Sequence, residues 1–189
     1  MEKIYKIKLI LIIFTATILT SSCSRKIVNI VNDPLPVIVD NNEKEKVKNK
    51  PSDPIEAAEY DASVAGKKVL AVGRKMVFEE KKIVKGSCWD YINEVYRRAG
   101  YSSDKKTVFK SKKSGPYVDV SKIQPGDWLY YINHSYNGVE HSGIFVYWKD
   151  YKNKIGVTLS YGGQNRNEPG RYKEYDLRSV YNIMRPGAE

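Results

Sequence analysis

The chain has 189 residues, of which 41% are hydrophobic and 29% are charged, and its formal net charge is +10. This composition supports one folded domain with extensions and excludes a chain that is disordered throughout. The two cysteines are too few for a disulfide scaffold or a four-cysteine zinc site. A basic surface favours anionic partners without specifying which ones.

The N-terminus has the pattern of an export signal. Lysines precede the apolar run 9–20, which is shorter than the roughly 20 residues that a membrane-spanning helix needs. The small residues Ser21 and Ser22 then precede Cys23, and this arrangement resembles a bacterial lipobox. We therefore predict a lipoprotein signal peptide over residues 1–22 and a lipid on Cys23. The alternative is an ordinary signal peptide that is cut nearby.

Residues 23–52 are predicted to form a flexible tether. The segment 41–50 is almost wholly polar and charged, so it cannot bury enough surface to become ordered. The folded domain is predicted over residues 53–189. If Cys23 carries lipid, Cys88 is left without an intramolecular disulfide partner, and such a thiol is either buried and inert or reactive.

The first predicted helix begins at Asp53 and Pro54, because aspartate is a favourable N-cap and proline suits the first helical turn. This helix is expected to reach about Val72 and to end at Gly73. The region 61–63 makes it soft or broken.

The best-defined predicted element is the helix that follows a charged connector over residues 78–85. Ser87 is its predicted N-cap, with Asp90 three residues later as a short capping box, and Gly100 ends it. The apolar stripe of this helix comprises Ile92, Val95, Tyr96 and Ala99. Cys88, at the first helical position, continues this stripe.

The second half of the domain has a β pattern. A Pro-Gly-Asp turn at 125–127 leads into four predicted strands, over residues 128–132, 141–148, 155–161 and 181–184. Asn137 and Gly138 predict the turn between the first two strands. N-terminal helices followed by a small antiparallel sheet predict the α+β class, with the helices packed on the sheet.

Cys88 is the candidate nucleophile. The positive end of a helix dipole stabilises a thiolate, and the N–H groups of the first turn form an anion site. The thiol needs a base, and the chain has two histidines. His134 lies in the predicted hairpin loop, whereas His141 opens a strand and shares a face with Gly143, which leaves space beside the imidazole.

A metal site made from His134, Glu140 and His141 is disfavoured. Adjacent residues on a strand point to opposite faces, so Glu140 and His141 do not easily bind one ion. We predict no metal and no organic cofactor.

Three sequence segments occur in an informative order. They are Ser-Cys-Trp-Asp-Tyr-Ile at 87–92, continued by 95–100, then Ile-Gln-Pro-Gly-Asp-Trp-Leu at 123–129, and His-Ser-Gly-Ile-Phe at 141–145. Their order resembles that of the NlpC-like cell-wall cysteine peptidases, which are compact members of the papain-like clan related to the CHAP amidases. The resemblance covers residues 54–186 and implies a papain-like NlpC-type fold. It implies that Cys88 attacks an amide carbonyl and that His141 is the general base and then the general acid.

The resemblance also implies a third polar group that orients the imidazole of His141. Ser160 is the best positional match, and the side-chain carbonyl of Gln164 or Asn165 is the alternative. The chain departs from the family's usual Asp-Cys-Ser-Gly, because the large Trp89 follows the cysteine.

These features together predict a lipid-anchored peptidoglycan hydrolase of the bacterial cell envelope, facing the periplasm or the cell surface. It is expected to be an endopeptidase that cleaves an amide bond in the stem peptide, next to D-glutamate, through an acyl-enzyme on Cys88. The expected partners are peptidoglycan and, through the lipid, a membrane, without nucleic acid. Two alternatives stay open: an amidase or acyl transferase on the same fold, and a non-catalytic domain that binds cell-wall material or a partner protein.

Overall fold

The computed structural model of the protein describes residues 50–187. The predicted signal peptide, the lipid site at Cys23 and nearly all of the predicted tether lie outside the described residues. Among the helices of residues 50–187, none has the length and apolar content that crossing a bilayer requires.

The first predicted helix is in fact two helices, and the break between them lies at the region 61–63 that was predicted to be soft or broken. Helix α1 is Pro54–Asp61 and helix α2 is Val64–Arg74. The Asp53 carboxylate accepts two backbone N–H groups of the first turn of α1, at 2.9 and 3.0 Å. The Ser63 hydroxyl accepts an N–H of α2 at 3.1 Å. Two side-chain caps in quick succession therefore start two helices instead of one.

A π-helical turn, Lys75–Glu79, continues α2 into the region that was predicted to be a connector. Helix α3 follows at Cys88–Arg98, starting at the predicted residue. At its entry the Asp90 carboxylate accepts both the N–H and the O–H of Ser87, at 2.7 and 2.8 Å. Gly100, with a φ of +90°, adopts the left-handed conformation that follows a helix end.

A six-stranded antiparallel sheet forms the second half of the domain. Its strands are β1 Lys105–Lys110, β2 Trp128–Asn133, β3 Val139–Asp150, β4 Ile155–Ser160, β5 Arg171–Asp176 and β6 Val180–Pro186. Their spatial order is β1-β6-β2-β3-β4-β5. The four predicted strands are present, and the two that were missed, β1 and β5, lie at the two edges.

The helices pack on one face of the sheet. Helix residues such as Val69, Ile92 and Val95 form one buried cluster with Ile144 and Leu159 from the sheet. Alternation along the strands turns the neighbouring side chains to the other face. There the chain segment before β2 covers a second cluster, whose members include Val118, Val120, Leu129, Phe145 and Ile183. This arrangement confirms the α+β class.

The Pro-Gly-Asp turn joins the helices to the sheet. Gly126 has a φ of +93°, and a Cβ atom on it would lie 2.5 Å from the Cα of Gly66 in α2. The Tyr96 hydroxyl donates to the carbonyl of Gly126 at 2.7 Å. The next residue, Asp127, is fully buried and pairs with Arg185 through two contacts of 2.8 Å. The turn therefore fixes the distance between α2 and the start of β2.

Candidate functional site

A cleft of 720 Å³ opens where the N-terminus of α3 meets one end of the sheet. Antiparallel pairing brings the end of β2, the start of β3, the end of β4 and the start of β5 to this end. The five catalytic candidates from the sequence line this cleft: Cys88, His141, Ser160, Gln164 and Asn165. The fold therefore brings together residues that are separated by up to 77 positions in the chain.

The Cys88 thiol is free and partly exposed. Three tyrosine hydroxyls lie close enough to respond to its charge. Burial raises the pKa of Tyr130, Tyr131 and Tyr181, and negative charge on Cys88 adds a smaller rise at each. These three hydroxyls, from β2 and β6, therefore lie within electrostatic range of the thiol. No sequence pattern indicated that these hydroxyls lie on the side of the thiol.

Trp89, the departure from the family pattern, is 46% exposed. Its ring packs on Trp128 with the centroids 5.7 Å apart, and its indole N–H donates to the Tyr130 hydroxyl at 3.1 Å. The large side chain therefore lies against β2.

His141 is partly buried between two aromatic rings. The Tyr131 ring meets it edge-on at 5.6 Å, and the Tyr175 ring lies at 5.5 Å with a tilt of 44°. Within residues 50–187, no hydrogen bond to the imidazole accompanies these contacts. The two rings, rather than a polar partner, hold the orientation of the imidazole.

The charge state of His141 is set by its surroundings. Burial lowers its pKa to about 4, and the positive charges of Arg171, Lys173 and Arg166 contribute in the same direction. Near pH 7 the imidazole is therefore neutral and able to accept a proton.

Ser160, the first candidate for the third residue, lies on the same sheet face as His141. It pairs in register with Gly143, which is two residues from His141 along β3. Its hydroxyl shares a hydrogen bond of 2.9 Å with the Tyr175 hydroxyl. Ser160 is therefore bonded to a residue whose ring packs against the imidazole, and its orienting role stays a prediction.

Gln164 has a different partner from the one expected of an orienting residue. The side-chain oxygen of Gln164 accepts the backbone N–H of Gly86 at 2.7 Å. The backbone N–H of Gln164 donates to the Gly86 carbonyl at 2.9 Å. These two bonds fasten the turn after β4 to the loop that leads into Cys88. Asn165, the next residue, is exposed on the wall of the cleft.

The second histidine has a structural partner. The Nε2 atom of His134 lies 2.8 Å from the Ser179 hydroxyl. Glu140 pairs with Lys113 and accepts a hydrogen bond from the Tyr181 hydroxyl. In the part of the chain that the structure describes, no group of three His, Cys, Asp or Glu side chains is placed to hold a metal ion.

No protein-family model matches the chain, and comparisons with curated proteins and with solved structures find no significant match. The resemblance to the NlpC-like family therefore rests on the three sequence segments described above.

Proposed function

We propose that the domain is a papain-like cysteine hydrolase of the NlpC type, which cleaves an amide bond in the stem peptide of peptidoglycan. The observation that carries the proposal is that Cys88, at the start of α3, and His141, near the start of β3, line one cleft. A thiol and an imidazole are the nucleophile and base that amide hydrolysis through an acyl-enzyme needs.

In the proposed reaction, His141 accepts the thiol proton while Sγ of Cys88 attacks the amide carbonyl carbon. The N–H groups in the first turn of α3 are suited to stabilise the oxyanion that forms. His141 then protonates the leaving amine as the C–N bond breaks, which leaves a thioester. Water, deprotonated by His141, attacks the thioester, the C–S bond breaks, and the thiol regains its proton.

The proposed location follows from the N-terminal sequence. A lipid on Cys23 would attach the chain to a membrane of the cell envelope, where the substrate is also found. The 29 residues from 24 to 52, if fully extended, would reach at most roughly 100 Å. A Cys23→Ser variant is expected to leave the membrane fraction, and unchanged fractionation would argue against the lipid.

Binding without hydrolysis is the second candidate function. Two exposed hydrophobic side chains, Tyr136 and Val139, lie on the lining of the cleft. An exposed aromatic ring such as that of Tyr136 suits a ligand-binding groove. A domain that binds cell-wall material or a partner protein would use the same cleft without needing the thiol.

The proposed function is tested by incubating purified peptidoglycan with the full-length protein, in detergent, and analysing the muropeptides by mass spectrometry. Cys88→Ala, with folding checked by circular dichroism, is the matched control. New fragments from the unmodified protein alone would establish hydrolysis, and their masses would distinguish a cut in the stem peptide from one at the sugar–peptide junction. Newly joined fragments would indicate an acyl transferase. No products from either folded protein would contradict the hydrolase and favour binding.

A further inference from the structure

We infer that the wall of the cleft formed by Arg166, Arg171 and Lys173, hereafter the cationic wall, binds an anionic group of the ligand beside Cys88. The group is a carboxylate or a phosphate. The inference rests on the proposed function only in taking this ligand to be the substrate whose amide bond Cys88 attacks.

The strand register places two of these cations on the wall of the cleft. Arg171 pairs with Ser160, and Lys173 pairs with Thr158, between β5 and β4. Because the two cations are two residues apart, they share one face of β5. That face carries Ser160, which also lines the cleft. Two positive charges are thus presented side by side at the start of an edge strand.

The third cation comes from the turn after β4. Arg166 ends the short 3-10 turn Gln164–Arg166 and lines the cleft. A Cβ atom on Gly162 would lie 2.4 Å from Cδ of Arg166. Because glycine has no side chain, the aliphatic part of Arg166 can pack against the backbone of Gly162, just after β4.

The cationic wall is weakly neutralised by the described residues. Arg171 meets Glu168 at 3.3 Å in an exposed ion pair, and its Nε–H is buried without a hydrogen-bond partner. Lys173 lies over the Tyr175 ring at 5.5 Å. Neither Lys173 nor Arg166 has an ion pair within residues 50–187. A buried N–H without an acceptor is unfavourable. The Arg171 side chain as a whole is 40% exposed and lines the cleft, so its charge is presented to a ligand there.

The acidic side chains that line the cleft are already engaged. Asp90 accepts two hydrogen bonds from Ser87, and Glu140 pairs with Lys113. Three cations thus line the cleft beside two carboxylates, of which Glu140 is paired with Lys113 and Asp90 is hydrogen-bonded to an uncharged residue. The lowered pKa of His141 indicates a positive potential at the imidazole, since all three cations contribute to it after burial.

The chemistry of the wall fits an oxyanion with more than one oxygen. A guanidinium group presents several N–H donors in one plane, which match the two oxygens of a carboxylate or those of a phosphate. The ammonium group of a lysine adds a point charge. A neutral amide or sugar hydroxyl would gain much less from this arrangement.

The test compares two reagents that alkylate the same thiol. Iodoacetate carries a carboxylate and iodoacetamide is neutral, and in the full-length protein with Cys23→Ser the only thiol is Cys88. The measured quantity is the alkylation rate with iodoacetate divided by the rate with iodoacetamide, at low ionic strength. A change in the reactivity of the thiol itself affects both rates and cancels in this ratio. We expect this ratio to fall about threefold to tenfold in Arg171→Gln, and also to fall in Arg166→Gln and Lys173→Gln.

Arg178→Gln is the matched control, because Arg178 pairs with Asp176 at the opposite end of β5. Its rate ratio is expected to equal that of the unsubstituted protein. If the ratio also stays unchanged in all three variants of the cationic wall, each shown to be folded, the inference is overturned.

Competition distinguishes the two sources of the anion. N-acetylglutamate and inorganic phosphate are each tested for protection of Cys88 against iodoacetamide. Protection by the carboxylate alone supports a peptide carboxylate, and stronger protection by phosphate supports a phosphate-bearing polymer. Protection by neither contradicts the inference. These measurements need no turnover, so anion binding by the cationic wall and hydrolysis are tested independently. Failure of one can therefore be distinguished from failure of the other.

Discussion

The two sides of the cleft are held in place by different forces. On the side of Cys88, hydrogen bonds dominate: Asp90 binds Ser87 twice, and Gln164 binds Gly86 twice. On the side of His141, two tyrosine rings and burial position the imidazole. Substitutions on the first side should therefore move the thiol, whereas substitutions on the second should change the charge and orientation of the base.

The largest expected effect comes from removing the base itself. His141→Ala should reduce hydrolysis by about 100-fold to 10,000-fold, the range that a positioned acid–base group contributes, and it should also slow the alkylation of Cys88. The measurement is the rate of both reactions at pH 7. His134→Ala is the control, because His134 bonds to Ser179 outside the group of cleft residues that carry the proposal. Equal loss in both variants would refute the assignment.

The pH dependence tests how the second side sets the charge of His141. Because the folded protein holds the pKa of His141 at about 4, the acid limb of the reaction should lie near pH 4 instead of near the ordinary 6.5. The groups that face the imidazole are Arg166, Arg171, Lys173, Tyr131 and Tyr175. A rate profile with its limb near pH 6.5 would contradict this placement.

The same shift predicts a loss of stability in acid. Below the ordinary pKa of histidine, the unfolded chain binds a proton that the folded chain rejects until pH 4. The free energy of unfolding should therefore fall by up to about 3 kcal/mol between pH 7 and pH 4 through His141 alone. Urea unfolding of His141→Gln at both pH values should show a smaller fall than the unsubstituted protein shows. His134→Gln should keep the full loss.

A smaller effect is expected from releasing the loop before the thiol. Gln164→Ala removes the side-chain acceptor of the Gly86 N–H, and we expect about a tenfold loss of activity, because a shift of the nucleophile weakens its alignment. The matched variant Asn165→Ala should have little effect. Gln164→Glu keeps an acceptor and should recover part of the rate. If Asn165→Ala is the more damaging variant, Asn165 is the better candidate for the third residue.

The smallest expected effect concerns the entry of α3. Ser87→Ala removes a hydroxyl that bonds to Asp90 while leaving the backbone N–H bond in place. We expect a loss of about 1 kcal/mol in the free energy of unfolding, measured by urea titration. Unchanged stability would show that the backbone bond to Asp90 alone secures the helix start.

The sequence predicted the interior of the sheet and missed its edges for a physical reason. Central strands such as β2 and β3 are buried on both sides, so their apolar residues are visible as a pattern. The edge strands β1 and β5 each have one neighbour in the sheet, and their sequences, Lys-Lys-Thr-Val-Phe-Lys and Arg-Tyr-Lys-Glu-Tyr-Asp, contain many charges. Charged edge strands prevent pairing with other chains, but their sequences resemble those of polar loops.

The site was predictable where chemistry and local structure coincide. Cys88 at a helix start and His141 at a strand start are both local patterns, and both lie on the cleft. The bond between Gln164 and Gly86 joins residues 78 positions apart, so only the folded chain shows it. The two tyrosine rings around His141 come from β2 and β5, and β5 itself was not predicted.

The contact between Gly66 and Gly126 changes how the Pro-Gly-Asp segment should be interpreted. A methyl group on Gly126 would collide with the backbone of α2, and one on Gly66 would lie 2.5 Å from the Pro125 carbonyl oxygen. The two glycines are thus a matched pair whose joint substitution would force a helix away from the sheet. This contact does not involve Cys88, so loss of the thiol would not relax it. This segment therefore identifies the architecture, and only the residues around the cleft can report whether a given relative is an enzyme.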